Sequence, residues 1–231
     1  MRTLILLLIY IIIILLLIPV LLFCMLIRAP RPILVVGKWA MKVGKAVLGI
    51  NLEVSGLETI DKKSSYVFMA NHLSFLDGPL LYMLIPQPVR VILKKEVFRI
   101  PIVGLGMSHV DFIPVDRKRI TGGKRSIEKA SRLMRERGFS FLIFPEGTRS
   151  RDGNLQPFKR GGFFLALASQ APILPISIKG SFELMPKGSF FVKRGKIKVV
   201  FNAPVPVLGF NRDNLHQLIE RVRGIIQAKL D

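Results

Sequence analysis

An uncharged apolar segment near the start of the chain, Leu4 to Ile27, constrains the fold more than any other sequence feature. Its 24 residues would form about 36 Å of α-helix, enough to cross a hydrocarbon core of about 30 Å. A secretory signal peptide is an alternative, but its apolar region would be shorter, and no small-x-small cleavage site follows. Pro19 can kink or break the helix, so a re-entrant hairpin is a further alternative. The segment predicts a membrane-associated protein and leaves the choice between a spanning helix and a hairpin open.

Basic residues flank the apolar segment. Arg2 precedes it, and the next five cations of the chain follow it: Arg28, Arg31, Lys38, Lys42 and Lys45. The positive-inside rule then predicts that the protein body lies on the cytoplasmic face of the cell (inner) membrane. The three lysines are spaced four and three positions apart within 33–49, which predicts an interfacial amphipathic helix with lysines facing lipid phosphates. An ordinary surface helix of the folded domain is the alternative.

The whole chain is strongly basic. It has 35 Lys and Arg against 15 Asp and Glu, a net charge of +20. Such a surplus indicates an anionic partner, which can be nucleic acid, anionic lipid or a phosphorylated small molecule. No nucleic-acid motif and no interleaving of basic with aromatic residues appears, so nucleic acid is not expected. The only cysteine, Cys24, and the three histidines argue against disulfides and zinc sites, and neither a metal nor a cofactor is expected.

After residue 50 the pattern predicts an α/β domain. Six short apolar runs are candidate strands: Tyr66–Ala70, Val89–Leu93, Val110–Val115, Phe139–Phe144, Ile173–Ile178 and Lys196–Asn202. Candidate helices lie near 75–85, 122–137, 161–169 and 212–230, and the last has an apolar stripe at helical spacing. Strands that alternate with helices favour a largely buried sheet. We therefore predict membrane-anchoring helices over 1–50 and an α/β domain over 51–231.

The first motif follows the first of these candidate strands. Asn71 and His72 end the strand, and Asp77 comes five residues after the histidine. Side chains at the carboxyl end of a strand project where α/β sheets bind ligands. Ser74-x-x-Asp77 also matches a capping box, a purely structural role for Asp77. The two interpretations are compatible, because a carboxylate that reaches back over the first turn points toward His72 and can make it a general base.

The second motif, residues 144–150, directly follows another apolar strand. A turn and a helix cap explain Gly147 and Thr148, but they do not explain Glu146 and Arg149 beside a buried strand end. Arg149 suits a bidentate grip on phosphate or carboxylate. Glu146 could bind a hydroxyl or hold Arg149 or another base in place. Other basic stretches are 94–95, 116–119 and 159–160; as a rule such runs are only solvated surface.

Several common catalytic patterns are absent from the sequence. There is no G-x-S-x-G elbow, no phosphate-binding P-loop and no dinucleotide-binding glycine fingerprint. The only thiol lies in the apolar segment, away from any polar site. These absences argue against a covalent serine or cysteine intermediate.

The motifs together resemble those of the glycerolipid acyltransferases, and most closely the bacterial enzymes that act on 1-acyl-glycerol-3-phosphate. The resemblance covers roughly residues 50–190. Its blocks are Asn71-His72-x-x-x-x-Asp77, Lys94-Lys95-Glu96, Val115-Asp116-Arg117, Phe144-Pro145-Glu146-Gly147-Thr148-Arg149, Pro157-Phe158-Lys159 and Leu174-Pro175-Ile176. One departure is an added proline, Pro114, with Asp111 upstream, where the family has apolar residues leading into Ile-Asp-Arg.

The resemblance implies a mixed α/β sheet flanked by helices, preceded by a two-helix membrane motif. It implies transfer of a fatty acyl group from a thioester, acyl-CoA or acyl carrier protein, to the sn-2 hydroxyl of 1-acyl-glycerol-3-phosphate, which gives phosphatidic acid. His72 would be the base and Asp77 its partner. The residues implied to bind the phosphate-bearing acceptor are Arg117, Glu146, Gly147, Thr148 and Arg149, with Lys94 or Lys95 as further candidates.

Two alternatives remain at this point. A related acyltransferase or transacylase would use the same His72 and Asp77 on another lysophospholipid or a lyso-aminolipid. A non-catalytic, membrane-anchored protein could instead bind anionic lipid or nucleic acid through its basic surface. The sequence specifies neither the acyl donor nor the acyl chain length.

Overall fold

The structure, a computed structural model, describes residues 2–116 and 120–231. Its α-helices are α1 (Arg2–Leu26), α2 (Pro30–Leu48), α3 (Asp77–Leu84), α4 (Val103–His109), α5 (Ile120–Arg137), α6 (Gly161–Ser169), α7 (Ser181–Leu184) and α8 (Leu215–Gln227). Its strands are β1 (Ile50–Ser55), β2 (Val67–Ala70), β3 (Val89–Lys94), β4 (Ile113–Val115), β5 (Ser140–Ile143), β6 (Ile173–Lys179) and β7 (Gly195–Phe201). Short 3₁₀ turns cover Leu57–Thr59 and Lys95–Arg99.

Within the described residues the strands form one mixed sheet in the order β1-β7-β6-β2-β5-β3-β4. The block from β6 to β4 is parallel, β7 is antiparallel to β6, and β1 runs parallel to β7. The carboxyl ends of β2, β5, β3 and β4 therefore meet at one edge, which we call the carboxyl edge. The predicted mixed α/β fold is confirmed. The blocks that contain His72, Lys94, Asp116 and Glu146 begin at this edge.

Apolar side chains are buried on both faces of the sheet. Phe68, Leu142 and Ile176 belong to one core cluster, and Val67, Phe141 and Phe163 belong to the other. The stripe predicted for the last helix, α8, has seven members. Five are buried in the second cluster (Leu215, Leu218, Ile219, Val222 and Ile226), and Ile225 and Leu230 pack against it partly buried. The central strands are buried on both sides, which explains their continuous apolar runs.

Two details differ from the sequence expectations. Strand β4 begins at Ile113, because the preceding residues close the short helix α4 and Asp111 is left-handed with φ 61°. The edge strand β1 was not predicted, although its burial alternates along Ile50–Ser55 as expected for a strand with one covered face. The other predicted strands and helices are present with slightly shifted ends.

Helices α1 and α2 form an antiparallel pair. The Tyr10 hydroxyl donates to the Ala40 carbonyl at 2.9 Å, and the Val192 amide donates to Thr3 Oγ1 at 3.1 Å. The start of α1 and the end of α2 therefore both lie against the α/β body, and the turn between them lies at the far end of the pair. By length and composition, Arg2–Val20 could cross a membrane. The boundary between 1–50 and 51–231 stays a prediction.

One prediction about α2 is wrong. Lys38 does not face lipid phosphates, because its Nζ donates to the Ile85 carbonyl at 2.8 Å and lies 5.4 Å from the centre of the Tyr82 ring. This lysine caps the carboxyl end of α3 and ties α2 to the body. A cation at a helix carboxyl end is favourable because the last carbonyls carry partial negative charge.

Candidate active site

The first motif forms a tight turn between β2 and α3 that is built around Asp77. Asp77 is fully buried, and its Oδ2 accepts hydrogen bonds from the Leu73 and Ser74 amides at 2.7 Å each. The same oxygen lies 3.0 Å from Nδ1 of His72. The carboxylate half of the predicted capping box is thus present. The Ser74 hydroxyl donates to the Met185 carbonyl at 2.8 Å and accepts from the Leu76 amide at 3.2 Å, whereas the Asp77 amide donates to the Ser74 carbonyl.

This geometry orients the imidazole of His72. With Nδ1 held by a buried carboxylate, Nε2 is the ring nitrogen that can take a proton, and the carboxylate stabilises the imidazolium that forms. The ring also stacks on Phe144, with centroids 4.0 Å apart and planes 20° apart. The His72 side chain is 21% exposed, so the imidazole is fixed in direction but remains accessible. Phe144 was quoted within the second motif, but nothing in the sequence indicated its contact with His72.

Glu146 joins the two motif loops. It is 2% exposed, and its Oε1 accepts from the His72 amide at 2.5 Å while Oε2 accepts from the Gln156 amide at 3.0 Å. Burial raises the pKa of the Glu146 carboxyl to about 7; the amide hydrogen bonds oppose the shift and the charge of Asp77 adds to it. The structure thus supports the idea that Glu146 holds the base in place, and its contact with the acceptor stays a prediction.

The remainder of the second motif forms a turn with exposed polar groups. Gly147 has φ 74°, and a Cβ at this position would lie 3.0 Å from Nζ of Lys159. Lys187 Nζ donates to Thr148 Oγ1 at 2.9 Å and to the Arg149 carbonyl at 3.2 Å. Two lysine ammonium groups thus lie against the turn, and the turn also carries Arg149, whose guanidinium carbon lies 6.0 Å from the centre of the Phe75 ring. Cations of these two types suit a phosphate. Sequence reasoning missed Lys187, which lies 38 positions after Arg149 in the chain.

Lys94 and Lys95 lie at the same edge, two strands away from His72. At a strand spacing of about 4.8 Å, β3 is about 10 Å from β2. Lys95 forms an ion pair with Asp116 at 2.5 Å, and Lys94 lies 3.7 Å from Glu96. Both lysines thus pair with carboxylates of their own edge of the sheet, and their part in binding stays a prediction. Arg117 lies outside the described residues.

An apolar cavity of about 440 Å³ lies between the paired helices and the His72 loop. Its lining includes Leu6, Tyr10, Met41, Leu48, Leu76 and Leu80. A volume of this size is typical of ligand pockets, which range from about 300 to 1,000 Å³. Leu76 directly precedes Asp77, so the cavity adjoins the loop that carries His72. Among the described residues, no group of three or more His, Cys, Asp or Glu could hold a metal ion.

Comparison with known proteins supports the resemblance. The family model described as Acyltransferase matches residues 51–179. A 1-acyl-sn-glycerol-3-phosphate acyltransferase of Limnanthes douglasii is 32% identical over 80% of this chain and 65% of its own length. The protein of the same name from Borreliella burgdorferi is 30% identical over 83% of this chain and 76% of its own length. The chain thus spans slightly less than two thirds of the Limnanthes protein and more of the bacterial one.

A solved structure matches the whole chain. It is the crystal structure of the 1-acyl-sn-glycerophosphate (LPA) acyltransferase of Thermotoga maritima, with a TM-score of 0.78 and 26% identity. The match covers 100% of this chain and 97% of that one, so it includes the paired helices as well as the sheet. On the family model, the bacterial relative and this structure, the chain belongs to the acyltransferase family.

Proposed function

We propose that the protein transfers a fatty acyl group from an acyl thioester to the sn-2 hydroxyl of 1-acyl-glycerol-3-phosphate, giving phosphatidic acid. The observation that carries the proposal is the His72–Asp77 pair, which lies beside both a cation-rich turn and an apolar cavity. A base, an anion site and a lipid-sized pocket are the three features that this reaction requires. The relatives are named as acyltransferases of 1-acyl-sn-glycerol-3-phosphate, which supports the same acceptor.

His72 would act as the general base. Its Nε2 takes the proton of the acceptor hydroxyl while the oxygen attacks the thioester carbonyl carbon and forms a new C–O bond. The tetrahedral intermediate then expels the thiolate, and the imidazolium returns the proton to sulfur. General-base catalysis of this kind contributes about 10²–10⁴ in rate. Asp77 holds Nδ1 and stabilises the imidazolium between the two steps.

The turn at 147–149 would bind the phosphate of the acceptor. Arg149, Lys159 and Lys187 supply positive charge beside the base. Arginine can hold phosphate oxygens bidentately, and lysine acts as a point charge. Such binding contributes to rate mainly by positioning, because a fixed hydroxyl next to a fixed base removes most of the entropic cost of the encounter.

The paired helices would place this reaction at a lipid surface. The substrate and product are lipids, whereas the thioester carrier is soluble and anionic, so an active site at the membrane surface reaches both. We infer that the protein works on the cytoplasmic face of the cell membrane, attached through α1 and α2. CoA and acyl carrier protein both remain candidate donors.

The direct test uses purified protein in detergent with 1-acyl-glycerol-3-phosphate and acyl-CoA. Thiol release and diacyl product are followed together, and acyl carrier protein replaces CoA in a second series. His72→Ala should abolish product without changing folding or membrane association. His216→Ala is the matched control, because His216 lies exposed on α8, and it should retain full activity. An active H72A protein would contradict the assignment of the base.

The acceptor is tested with a panel. Removal of the phosphate, as in 1-acyl-glycerol, should raise KM strongly, since the cations of the turn lose their ligand. A lysophospholipid with a larger headgroup and a lyso-aminolipid test the alternative acceptors, and a phospholipid in place of the thioester tests the transacylase alternative. Equal rates on all acceptors would refute phosphate recognition and leave the acyl transfer itself intact.

A further inference from the structure

The segment between α7 and β7, residues 185–194, contacts three separate parts of the site. We call it the bridging loop. The Met185 carbonyl accepts from the Ser74 hydroxyl at 2.8 Å, Lys187 binds the turn at Thr148, and Val192 donates to Thr3 of α1. The bridging loop therefore connects the His72 loop, the turn at 147–149 (the anion turn) and the start of helix α1.

Hydrogen bonds give this loop a defined shape. The Lys193 amide donates to the Leu184 carbonyl at 2.9 Å and so joins the two ends of the loop. The Ser189 amide donates to Pro186 at 3.0 Å, and Gly188 is left-handed with φ 99°. The result is a projecting tip formed by Phe190 and Phe191, which are 84% and 59% exposed.

Two adjacent exposed phenylalanines are unusual for a surface in contact with water. Each aromatic side chain carries about 150–250 Å² of surface, and clustered apolar exposure marks a contact site. Lys187, Lys193 and Arg194 flank the tip, and the loop contains no acidic residue. Aromatic residues between cations are typical of segments that lie in the interface of an anionic bilayer.

The position of the tip favours a lipid surface over a protein partner. Phe190 and Phe191 lie at the cavity together with Leu4 and Leu7 of α1. Leu4 and Leu7 are themselves 59% and 58% exposed, so the apolar surface of the tip continues onto the apolar helix. A bilayer that receives α1 would meet the tip as well.

We propose that the bridging loop is a second membrane contact, in which Phe190 and Phe191 sit in the interface of an anionic bilayer at the mouth of the cavity. The cavity then opens toward the acyl chains of the bilayer, and a lipid can enter without crossing water. The contact itself does not depend on the proposed acyl transfer, which only identifies the lipid that enters.

The test uses the full chain and fluorescence. Trp39 is the only tryptophan, so W39F gives a silent background into which F190W is introduced. The protein is reconstituted into phosphatidylglycerol–phosphatidylcholine vesicles whose acyl chains carry bromine, a short-range quencher. We expect the tryptophan of F190W to lose most of its emission. F191W provides the same readout if F190W does not fold.

The matched control is L208W in the same background. Leu208 is 85% exposed but lies beyond the bridge between Ile173 and Val205, at the opposite edge of the sheet. Its emission should stay unchanged in brominated vesicles. Unquenched F190W and F191W, or equal quenching of L208W, would overturn the proposal.

A charge-reversal variant tests the lipid class. K193E/R194E in the W39F/F190W background should reduce the quenching in anionic vesicles, and unchanged quenching would refute the role of anionic lipid. The quenching results can be told apart from the results of the acyl-transfer assay. Quenching of F190W in a protein without acyltransferase activity would refute the enzyme alone. His72-dependent activity without quenching would refute the loop contact alone.

Discussion

Glu146 offers a sharp test, because its carboxylate is both buried and hydrogen-bonded. Burial raises its pKa from 4.5 to about 7, although two backbone amides donate to it. Glu146→Gln is the informative change. Glutamine has the shape of the protonated acid and does not titrate. The comparison of E146Q with the wild type therefore isolates the cost of ionising this one buried group.

The sign follows from proton binding. With a native pKa of about 7 and an unfolded value of 4.5, the native state retains a proton that the unfolded state loses. The free energy that this retained proton contributes to folding is fully present below pH 4.5 and is lost as the pH rises through about 7. The shift corresponds to about 3 kcal/mol at 1.36 kcal/mol per pKa unit. For a chain of this length, that is a change in Tm of about 6–12 °C.

The assay is thermal unfolding in detergent, followed by near-UV circular dichroism from pH 4.5 to pH 8. The wild type should lose about 3 kcal/mol relative to E146Q over this range. Glu183→Gln, at an exposed position on α7, controls for the removal of a negative charge as such. Parallel curves for the wild type and E146Q would refute the reasoning, and would mean that the two amide hydrogen bonds offset the burial.

Two further predictions concern the motif loops. Asp77→Asn should lower kcat by about 10²–10⁴, because the His72 imidazole loses the carboxylate that orients it. Asp61→Asn is the control, because Asp61 is another turn carboxylate that accepts a backbone amide, and it should leave kcat unchanged. Equal losses of kcat in a transfer assay would contradict the pairing of His72 with Asp77. Gly147→Ala and Gly138→Ala should each cost about 1–2 kcal/mol of stability, since both positions are left-handed. Only G147A should also raise KM for the phosphate-bearing acceptor, because a Cβ at position 147 displaces Lys159, whereas a Cβ at position 138 has no neighbour within 4 Å. An unchanged KM for G147A would count against phosphate binding at the turn.

Much of the fold could be predicted because its signals are local. Helix α8 follows from apolar residues at helical spacing over a few turns. Helix α1 follows from a long run of uncharged apolar residues. Strand β1 was missed because a six-residue edge strand with one covered face gives a weak signal, and its pairing with β7 connects residues about 145 positions apart, such as Ile50 and Gly195. Helix α4, with two glycines in seven residues, has little intrinsic helix preference, so only its packing specifies it.

By itself, the sequence predicted that the N-terminal segment associates with a membrane. It also determined the α/β class and the His72–Asp77 pair. The pair follows from sequence because its members are five residues apart, and one turn brings them together. Only the tertiary structure decided that Glu146 supports the His72 amide, that Lys187 joins the anion turn and that Lys38 caps α3. These contacts join residues 39 to 74 positions apart in the chain. Contacts at such separations depend on strand order and loop paths, which the packing of the whole sheet specifies.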